Sequence, residues 1–329
     1  MSRDGETRDG VSLTNLEAPL FDGADATKRD LVDYLDAVAD RMVPLLAGRA
    51  LSVVRVRPGQ EPFMQKNLPK YAPEWMKTLP VWSQASQRQV SYPLCDDRRT
   101  LLWFANQRAV EYHPTLFLGE AWDAPTQLVL DLDPPAGDGF AHAARTAVLV
   151  REVLGAAGMA AAVKTSGAKG LHVVVPLAPG AAAEDVMAAT RAVAARAERL
   201  DPALTTTAFV RDERGGKVFL DSTRAGGATV VAAYSPRVRA GCPVSFPVAW
   251  EDLDRVSPRD ATIRTAVGLL AGADRWQDLM PPPQPLDPGL VEEGRTIPVA
   301  RVQAMHAGKR RARARREAEA AGADAGSDA

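Results

Sequence analysis

Two carboxylates two residues apart close an apolar run in Thr126-Gln127-Leu128-Val129-Leu130-Asp131-Leu132-Asp133, and Pro134-Pro135 follow at once. Residues 127–130 read as a buried strand, which the proline pair ends. Strand side chains alternate faces, so Asp131 and Asp133 point the same way, their Cα atoms roughly 7 Å apart, while Leu132 points into the core. Two acids on one face at a strand end suit a pair of divalent cations, whose usual separation is about 3.5–4 Å. The same pattern also fits one acid capping the next helix and one in solvent.

Two further stretches carry chemistry. Thr165-Ser166-Gly167-Ala168-Lys169-Gly170 has the composition of a tight hairpin turn, with His172 just beyond it, and Lys217-Val218-Phe219-Leu220-Asp221 is a second apolar strand ending in an acid, with Arg224 nearby. Three acids with Lys, Arg and His are what nucleotide chemistry on a metal pair requires. Carboxylates hold hard cations such as Mg²⁺ or Mn²⁺. Basic side chains and the N–H groups of a glycine turn orient phosphates. Each piece has a plainer alternative: a hairpin turn with a solvated lysine, a half-buried histidine, an acid that caps a turn. Ser-His-Asp hydrolysis fits poorly, because Ser166 lies in no G-x-S-x-G elbow, and Cys95 has no base near it in sequence.

These residues need a scaffold of ordinary composition. The chain has 329 residues, 46% hydrophobic and 25% charged, with a net charge of −1. Any nucleic-acid binding must therefore come from local clusters of Lys and Arg. The strongest cluster is the run 309–316 near the C-terminus. Two cysteines, Cys95 and Cys242, in no ligand-like spacing exclude a disulfide framework or a zinc site. No apolar run reaches membrane-spanning length and no leader pattern is present, so the expectation is a cytoplasmic protein.

Along the chain, residues 1–13 read as a disordered tail. Thr27-Lys28-Arg29-Asp30 has the capping-box pattern that opens a helix, carried on by Leu31, Tyr34, Leu35, Val38 and Met42 until Gly48. Residues 51–56 read as a strand, 63–75 as a loop rich in aromatic, Lys and Pro residues, 90–94 as a strand and 99–110 as a helix. Residues 139–154 and 184–200 predict helices, 160–164 and 171–175 the two strands of a hairpin, 230–233 a strand and 261–270 a short helix. From 281 to 329 the chain is Pro-rich and then basic, which predicts a largely disordered tail.

The motifs also resemble a known family. Leu130-Asp131-Leu132-Asp133-Pro134, the stretch from Lys164 to Leu177, and Asp221 with Arg224 look like the three motifs of archaeo-eukaryotic primases. More narrowly, residues 15–279 resemble the polymerase domain of bacterial ligase D, with Thr27-Lys28, Phe63-Met64-Gln65-Lys66, Leu102-Trp103-Phe104-Ala105-Asn106, Glu111-Tyr112-His113-Pro114 and Tyr234-Ser235-Pro236-Arg237-Val238-Arg239 in the expected order.

The resemblance implies an α/β, archaeo-eukaryotic primase-like fold: a mostly antiparallel central sheet flanked by helices, with a second smaller sheet, over residues 14–280. It implies that Asp131, Asp133 and Asp221 hold two divalent ions, Mn²⁺ or Mg²⁺. Ser166, Lys169 and His172 would meet the triphosphate and sugar, Arg224 and Arg237 the phosphates, and His113 the nucleotide pocket. Phe63 would stack on the templating strand with Lys66 beside it on the DNA side, and Asn15 and Lys28 would hold a 5′-phosphate. Ala18 stands where the family often has Lys, and Met64 where many members have a second aromatic.

The activity implied is template-directed nucleotide addition, filling gaps at DNA ends in non-homologous end joining and favouring ribonucleotides. Implied partners are DNA ends and gapped duplex with a 5′-phosphate, NTP or dNTP, Ku, and a separate ATP-dependent DNA ligase, since nothing in the chain resembles a ligase or nuclease module. The location implied is the cytoplasm, at the nucleoid. Alternatives are a primase or damage-tolerant primer-extending enzyme, a non-catalytic end-bridging module, and a D-x-D phosphatase or glycosyltransferase.

Overall fold

The structure is a computed structural model and describes residues 6–83, 87–119, 121, 123–137, 139–226 and 229–299; the basic run 309–316 lies outside the described residues. From the N-terminus, β1 (Thr7–Arg8) and β2 (Val11–Ser12) pair as a small hairpin. Helices α1 (Lys28–Ala37) and α2 (Ala39–Leu46) precede β3 (Leu51–Arg57) and β4 (Gln60–Gln65). A hairpin of β5 (Thr78–Ser83) and β6 (Arg88–Pro93) leads to α3 (Arg98–Asn106) and β7 (Ala109–Pro114). The middle of the chain is β8 (Gln127–Asp133), α4 (Phe140–Ala156), β9 (Ala162–Thr165), β10 (Leu171–Pro176) and α5 (Ala183–Leu200). Then come β11 (Thr205–Thr206), β12 (Val218–Asp221) and β13 (Pro247–Val248), and last the helices α6 (Ala266–Leu270), α7 (Arg275–Leu279) and α8 (Pro288–Thr296).

The central sheet runs β11-β12-β8-β10-β9-β13 and is antiparallel except at β11–β12; a smaller antiparallel sheet runs β4-β3-β7. This is the mostly antiparallel α/β architecture expected from the motifs. Side-chain alternation divides the central sheet into two faces. Leu128, Leu130, Leu132, Val163, Val173 and Val175 are buried with residues of α4, α5 and α8 in one core. Val129, Ala162 and Val174 belong to the other core, shared with α1, α3 and the small sheet. On that second face β8 turns from Val129 to Asp131 and Asp133, so the apolar packing opens into a polar cleft.

Local chemistry explains the best-read elements. Thr27 and Asp30 form a complete capping box at the start of α1, satisfying two orphan N–H groups reciprocally. The hairpin β9–β10 closes through the turn 166–170, as its glycine content predicts.

Four expectations are corrected. Residues 6–13 are not a loose tail: Val11 and Leu13 are buried in the core, and the hairpin is tied down by Arg8 ion pairs to Asp33 and Asp36. The expected tail also contains α8, whose Leu290 is fully buried. Phe63 lies on strand β4, not in a loop. Residues 230–233 form no named strand; Val230 and Ala232 donate to the Pro114 and Tyr112 carbonyls and so bridge toward the small sheet. Among the described residues no helix is long and apolar enough to cross a membrane.

Helix α8 docks through buried Leu290 and through a close backbone approach to α5. A Cβ at Gly294 would lie 1.8 Å from the Ala188 carbonyl oxygen of α5, and Arg191 donates to the Gly294 carbonyl at 3.1 Å. Gly294→Ala should therefore force the two helices apart and cost about 1–3 kcal/mol, as overpacking does. An unchanged melting temperature would show that α8 docks without that close contact.

Candidate active site

Cross-strand register builds the site. Asp221 on β12 pairs with Asp131 on β8, Asp131 with His172 on β10, and His172 with Lys164 on β9. Register partners share a face, so these four side chains form one row across four strands. Asp221 and Asp131 would repel each other, and Arg224 lies between them, 2.6 Å from Asp131 Oδ2 and 3.0 Å from Asp221 Oδ2. On the other side, His172 Nε2 is 3.4 Å from Asp131 Oδ1. Burial pushes the Asp131 carboxyl up, but His172 and Arg224 outweigh it and hold the group well below the usual carboxylate range. Burial, with the Lys164 charge beside it, lowers His172 to about 4. Asp133, two residues on, meets Lys169 Nζ at 3.0 Å and Arg214 at 3.4 Å.

The turn after β9 is held from inside. Ser166 Oγ accepts from the Ala168 and Gly170 N–H groups at 3.3 and 3.2 Å, so the hydroxyl shapes the turn. Gly167 has φ +67°, and a Cβ there would lie 2.7 Å from Arg237 Cγ. The turn thus packs directly on the Arg237 stem, and Arg237 donates to the Ser166 carbonyl.

Glu111, on β7, supports two of the expected nucleotide-binding side chains at once. It meets His113 Nε2 at 2.8 Å and Arg237 Nε at 3.1 Å, and accepts from the Val238 N–H at 2.9 Å. The Arg237 contact is an ion pair at a poor hydrogen-bonding angle, since Nε has no geometrically sound acceptor. Burial pushes the Glu111 carboxyl up, but His113, Arg237 and Val238 outweigh it and bring it to about 2. Burial also lowers His113. Ser235 Oγ, accepting from the Tyr112 N–H at 2.9 Å, fastens the Arg237 segment to β7.

A cleft of about 970 Å³ gathers His113, Asp131, Asp133, Ser166, Lys169, His172, Arg224 and Arg237. Asp221, 9% exposed, is not among the lining residues and meets the cleft through Arg224. Arg211, Arg239 and Arg259 also line it and were missed by sequence reading. Arg239 closes a motif that was noticed, whereas Arg211 opens a three-residue 3-10 turn and Arg259 sits in a loop, neither with a local signal.

The four expected DNA contacts lie outside the cleft lining. Met64 reaches the cleft, while its neighbour Phe63 faces the other way and carries Arg57 4.8 Å from its ring centroid. Lys66 and Asn15 are exposed. Lys28 is 3% exposed, and its ammonium donates to the Thr14 carbonyl and, at 2.6 Å, to Asn106 Oδ1. Burial, with Arg108 nearby, lowers it to about 8. The first N–H groups of α1 are not open to an anion either: Lys28 N–H and Arg29 N–H donate to the Ala18 and Leu16 carbonyls.

The acids fit hard divalent cations by chemistry and by a stand-in. Arg224 holds a positive charge in contact with both Asp131 and Asp221, the place such a cation would take. Among the described residues no three Asp, Glu, His or Cys side chains converge into a ready-made cage. Basic side chains engage the acids instead, Arg224 at Asp131 and Asp221, and Lys169 and Arg214 at Asp133.

Comparison with known proteins points to one family. Residues 27–276 match the family described as "LigD, primase-polymerase domain". The chain is 35% identical over 255 residues to the multifunctional non-homologous end joining DNA repair protein LigD of Mycobacterium tuberculosis, covering 74% of this chain and 33% of that protein. It is 32% identical over 262 residues to the bifunctional non-homologous end joining protein LigD of Bacillus subtilis, covering 78% of this chain and 42% of that protein. It thus spans well under half the length of either relative. A solved structure, the polymerase domain from Mycobacterium tuberculosis ligase D in complex with DNA, superposes with a TM-score of 0.75 at 32% identity, covering 82% of this chain and 97% of that one.

Glu111 gives the site a pH signature. Its folded pKa of about 2 lies below the unfolded value of about 4.3, so the stability it contributes is present above about pH 4.3 and lost as pH falls through about 2. Glu111→Gln should be less stable than the parent by about 2–3 kcal/mol near neutrality, with the gap closing toward pH 2. Denaturant titrations across that range check it, and a gap independent of pH would contradict it.

Proposed function

The chain belongs to the LigD primase-polymerase domain family, and from that premise we propose that it is a template-directed nucleotidyltransferase that fills gaps and extends DNA ends in non-homologous end joining. The observation that carries this reading is the in-register row of Asp221, Asp131 and His172, with Asp133 beside it, in a cleft lined by basic side chains. Divalent ions, Mn²⁺ or Mg²⁺, held by Asp131, Asp221 and Asp133 supply neutralisation of charge on the triphosphate and on a primer hydroxyl when bound.

The chain's own residues do the rest. Arg224, displaced from the two acids, is free to turn to phosphate oxygens, which a guanidinium grips in two-pronged fashion. Lys169 and Arg237 flank the turn 166–170 and add positive charge on the same side. His113, held by Glu111, presents its ring to the nucleotide. Ser166 acts by shaping the turn. Phe63 and Lys66 are assigned to the templating strand and Asn15 to a 5′-phosphate. Lys28 reaches that phosphate only by giving up Thr14 and Asn106. Ribonucleotides are the proposed substrates. Proposed partners are DNA ends and gapped duplex, with Ku and an ATP-dependent DNA ligase as the proteins that hold and seal the ends. The working unit takes in β1 through α8, and the basic run 309–316 is a further DNA tether.

Gap filling on a primed duplex, with labelled NTP or dNTP and Mn²⁺ or Mg²⁺, tests the reading. Asp133→Asn should lower the rate by at least about 10²-fold, the scale of losing one charge-stabilising group. It should leave the melting temperature nearly unchanged, since Asp133 is 38% exposed. Normal extension by the folded variant would end the polymerase reading. Lys169→Ala should raise KM for all four bases alike, and a loss confined to one base would remove Lys169 from the triphosphate.

A further inference from the structure

The catalytic cleft has a neighbour. A second cavity, of about 750 Å³, lies between residues 18–22 and the turn that joins β3 to β4, with Ala18, Arg57, Arg108 and Arg239 in its lining. Arg239 and Ala240 line both cavities, so the two adjoin there. Asp22 and Glu61 also line the second one, and both are exposed. It takes no part in the chemistry of the acids.

Arg108 is the least ordinary residue of that lining. It joins α3 to β7 with φ +61°, in the left-handed region that glycine and asparagine tolerate and arginine does not favour. The backbone there is fully used: its N–H donates to the Ala105 carbonyl at 2.9 Å, and its carbonyl accepts from the Val56 N–H at 3.1 Å. Nothing in that turn calls for an arginine, so what sets the residue apart is its side chain. Arg108 Nη2 donates to the Pro19 and Leu20 carbonyls, which fixes the guanidinium beside Ala18 in the chain. Arg108 Nε is buried without an acceptor. A guanidinium has five N–H donors, so this one keeps some for an outside acceptor.

A second cation stands close by. The Lys28 ammonium feels the Arg108 charge, and it donates only to the Thr14 carbonyl and Asn106 Oδ1. Among the described residues every hydrogen-bond partner of these two cations is thus a neutral oxygen. Two half-desolvated like charges with no carboxylate between them favour an anion that joins them. A terminal phosphate monoester is a dianion near neutral pH, its second pKa being about 6, and so matches the pair. An internal phosphodiester carries a single charge. In a gap the strand being extended ends in a 3′-hydroxyl, so the terminal phosphate at hand is the 5′-phosphate across it. Lys28 has its donors engaged and does not line the cavity, so direct contact falls to Arg108.

We propose that Arg108 is the specificity-determining residue of this second cavity and that its ligand is the 5′-phosphate of a gap held in the adjoining cleft. Ala18 lines the same cavity without a charge, and the chain places its cation on another element, at the end of α3. That the phosphate belongs to gapped DNA rests on the polymerase reading; the fit to a phosphate monoester does not.

Fluorescence anisotropy of the full chain, without nucleotide or divalent metal, tests this on two gapped duplexes that differ only in a 5′-phosphate or 5′-hydroxyl at the gap. The wild-type protein should bind the phosphorylated duplex at least about fivefold more tightly, the scale of one charged hydrogen-bonded contact. Arg108→Asn and Arg108→Gly both suit the left-handed backbone, and in each the two affinities should come within about twofold of one another. Equal binding of both duplexes by the wild-type protein overturns the proposal, and so does a preference that survives in either variant. Should neither variant fold, modification of wild-type Arg108 by phenylglyoxal decides: protection by the phosphorylated duplex alone supports the proposal, and equal protection by both overturns it. Primer extension across the hydroxyl-ended gap separates the two readings. Extension without a phosphate preference removes only the role of Arg108, and a preference without extension removes only the polymerase.

Discussion

Everything in the cleft follows from placing four ionisable side chains in register across β12, β8, β10 and β9. Strands lie about 4.8 Å apart, so each member of such a row must be compatible with its neighbours. Two adjacent carboxylates are not, and Arg224 between Asp131 and Asp221 resolves the conflict. His172 and Lys164 continue the row away from solvent, where an unpaired charge would be costly. Each member of the row therefore has a polar partner, from Arg224 at the acids to Lys164 in the core.

A second arrangement, at the joint between the two sheets, mirrors the first with the signs reversed. Glu111 is a single buried acid serving His113, Arg237 and the Val238 N–H, whereas Lys164 is a single buried base in contact with His172 Nδ1, the Val231 carbonyl and Ser245 Oγ. Residues 230–233 connect the two. Val230 and Ala232 donate to β7 while the Val231 carbonyl accepts from Lys164. The acids on the central sheet and the bases facing them are thus held by one continuous polar framework, and a shift of either sheet would be felt at both.

Local signals were the legible ones. The capping box at Thr27, the alternation through Asp131 and Asp133, and the glycine turn before His172 each act within a few residues, and each folds as its chemistry dictates. Glu111 and Lys164 stood inside motifs that were noticed, yet their work was invisible. Their partners Val238 and Ser245 lie 127 and 81 residues away, and no periodicity reports such a distance. Residues 6–13 and α8 failed for another reason. They are polar and Pro- or Gly-bearing, and they fold by docking on a finished surface, so propensity alone could not reveal them. Lys28 carried a strong local pattern, but burial against Thr14 and Asn106 decided its place.

The same contacts also explain why the cleft is lined with more cations than acids. Around Asp131 and Asp133 stand Lys169, Arg214 and Arg224, and Arg211, Arg237, Arg239 and Arg259 complete the basic surround. Only the first three touch these acids. The others leave a net positive concavity, which attracts a polyanion regardless of its bases. A guanidinium contacting two acids is a different device. It neutralises both carboxylates from one position. In the proposed function a cation that took its place would free Arg224 for phosphate oxygens, so the filling of the acid site and the gripping of phosphate would be coupled through one side chain.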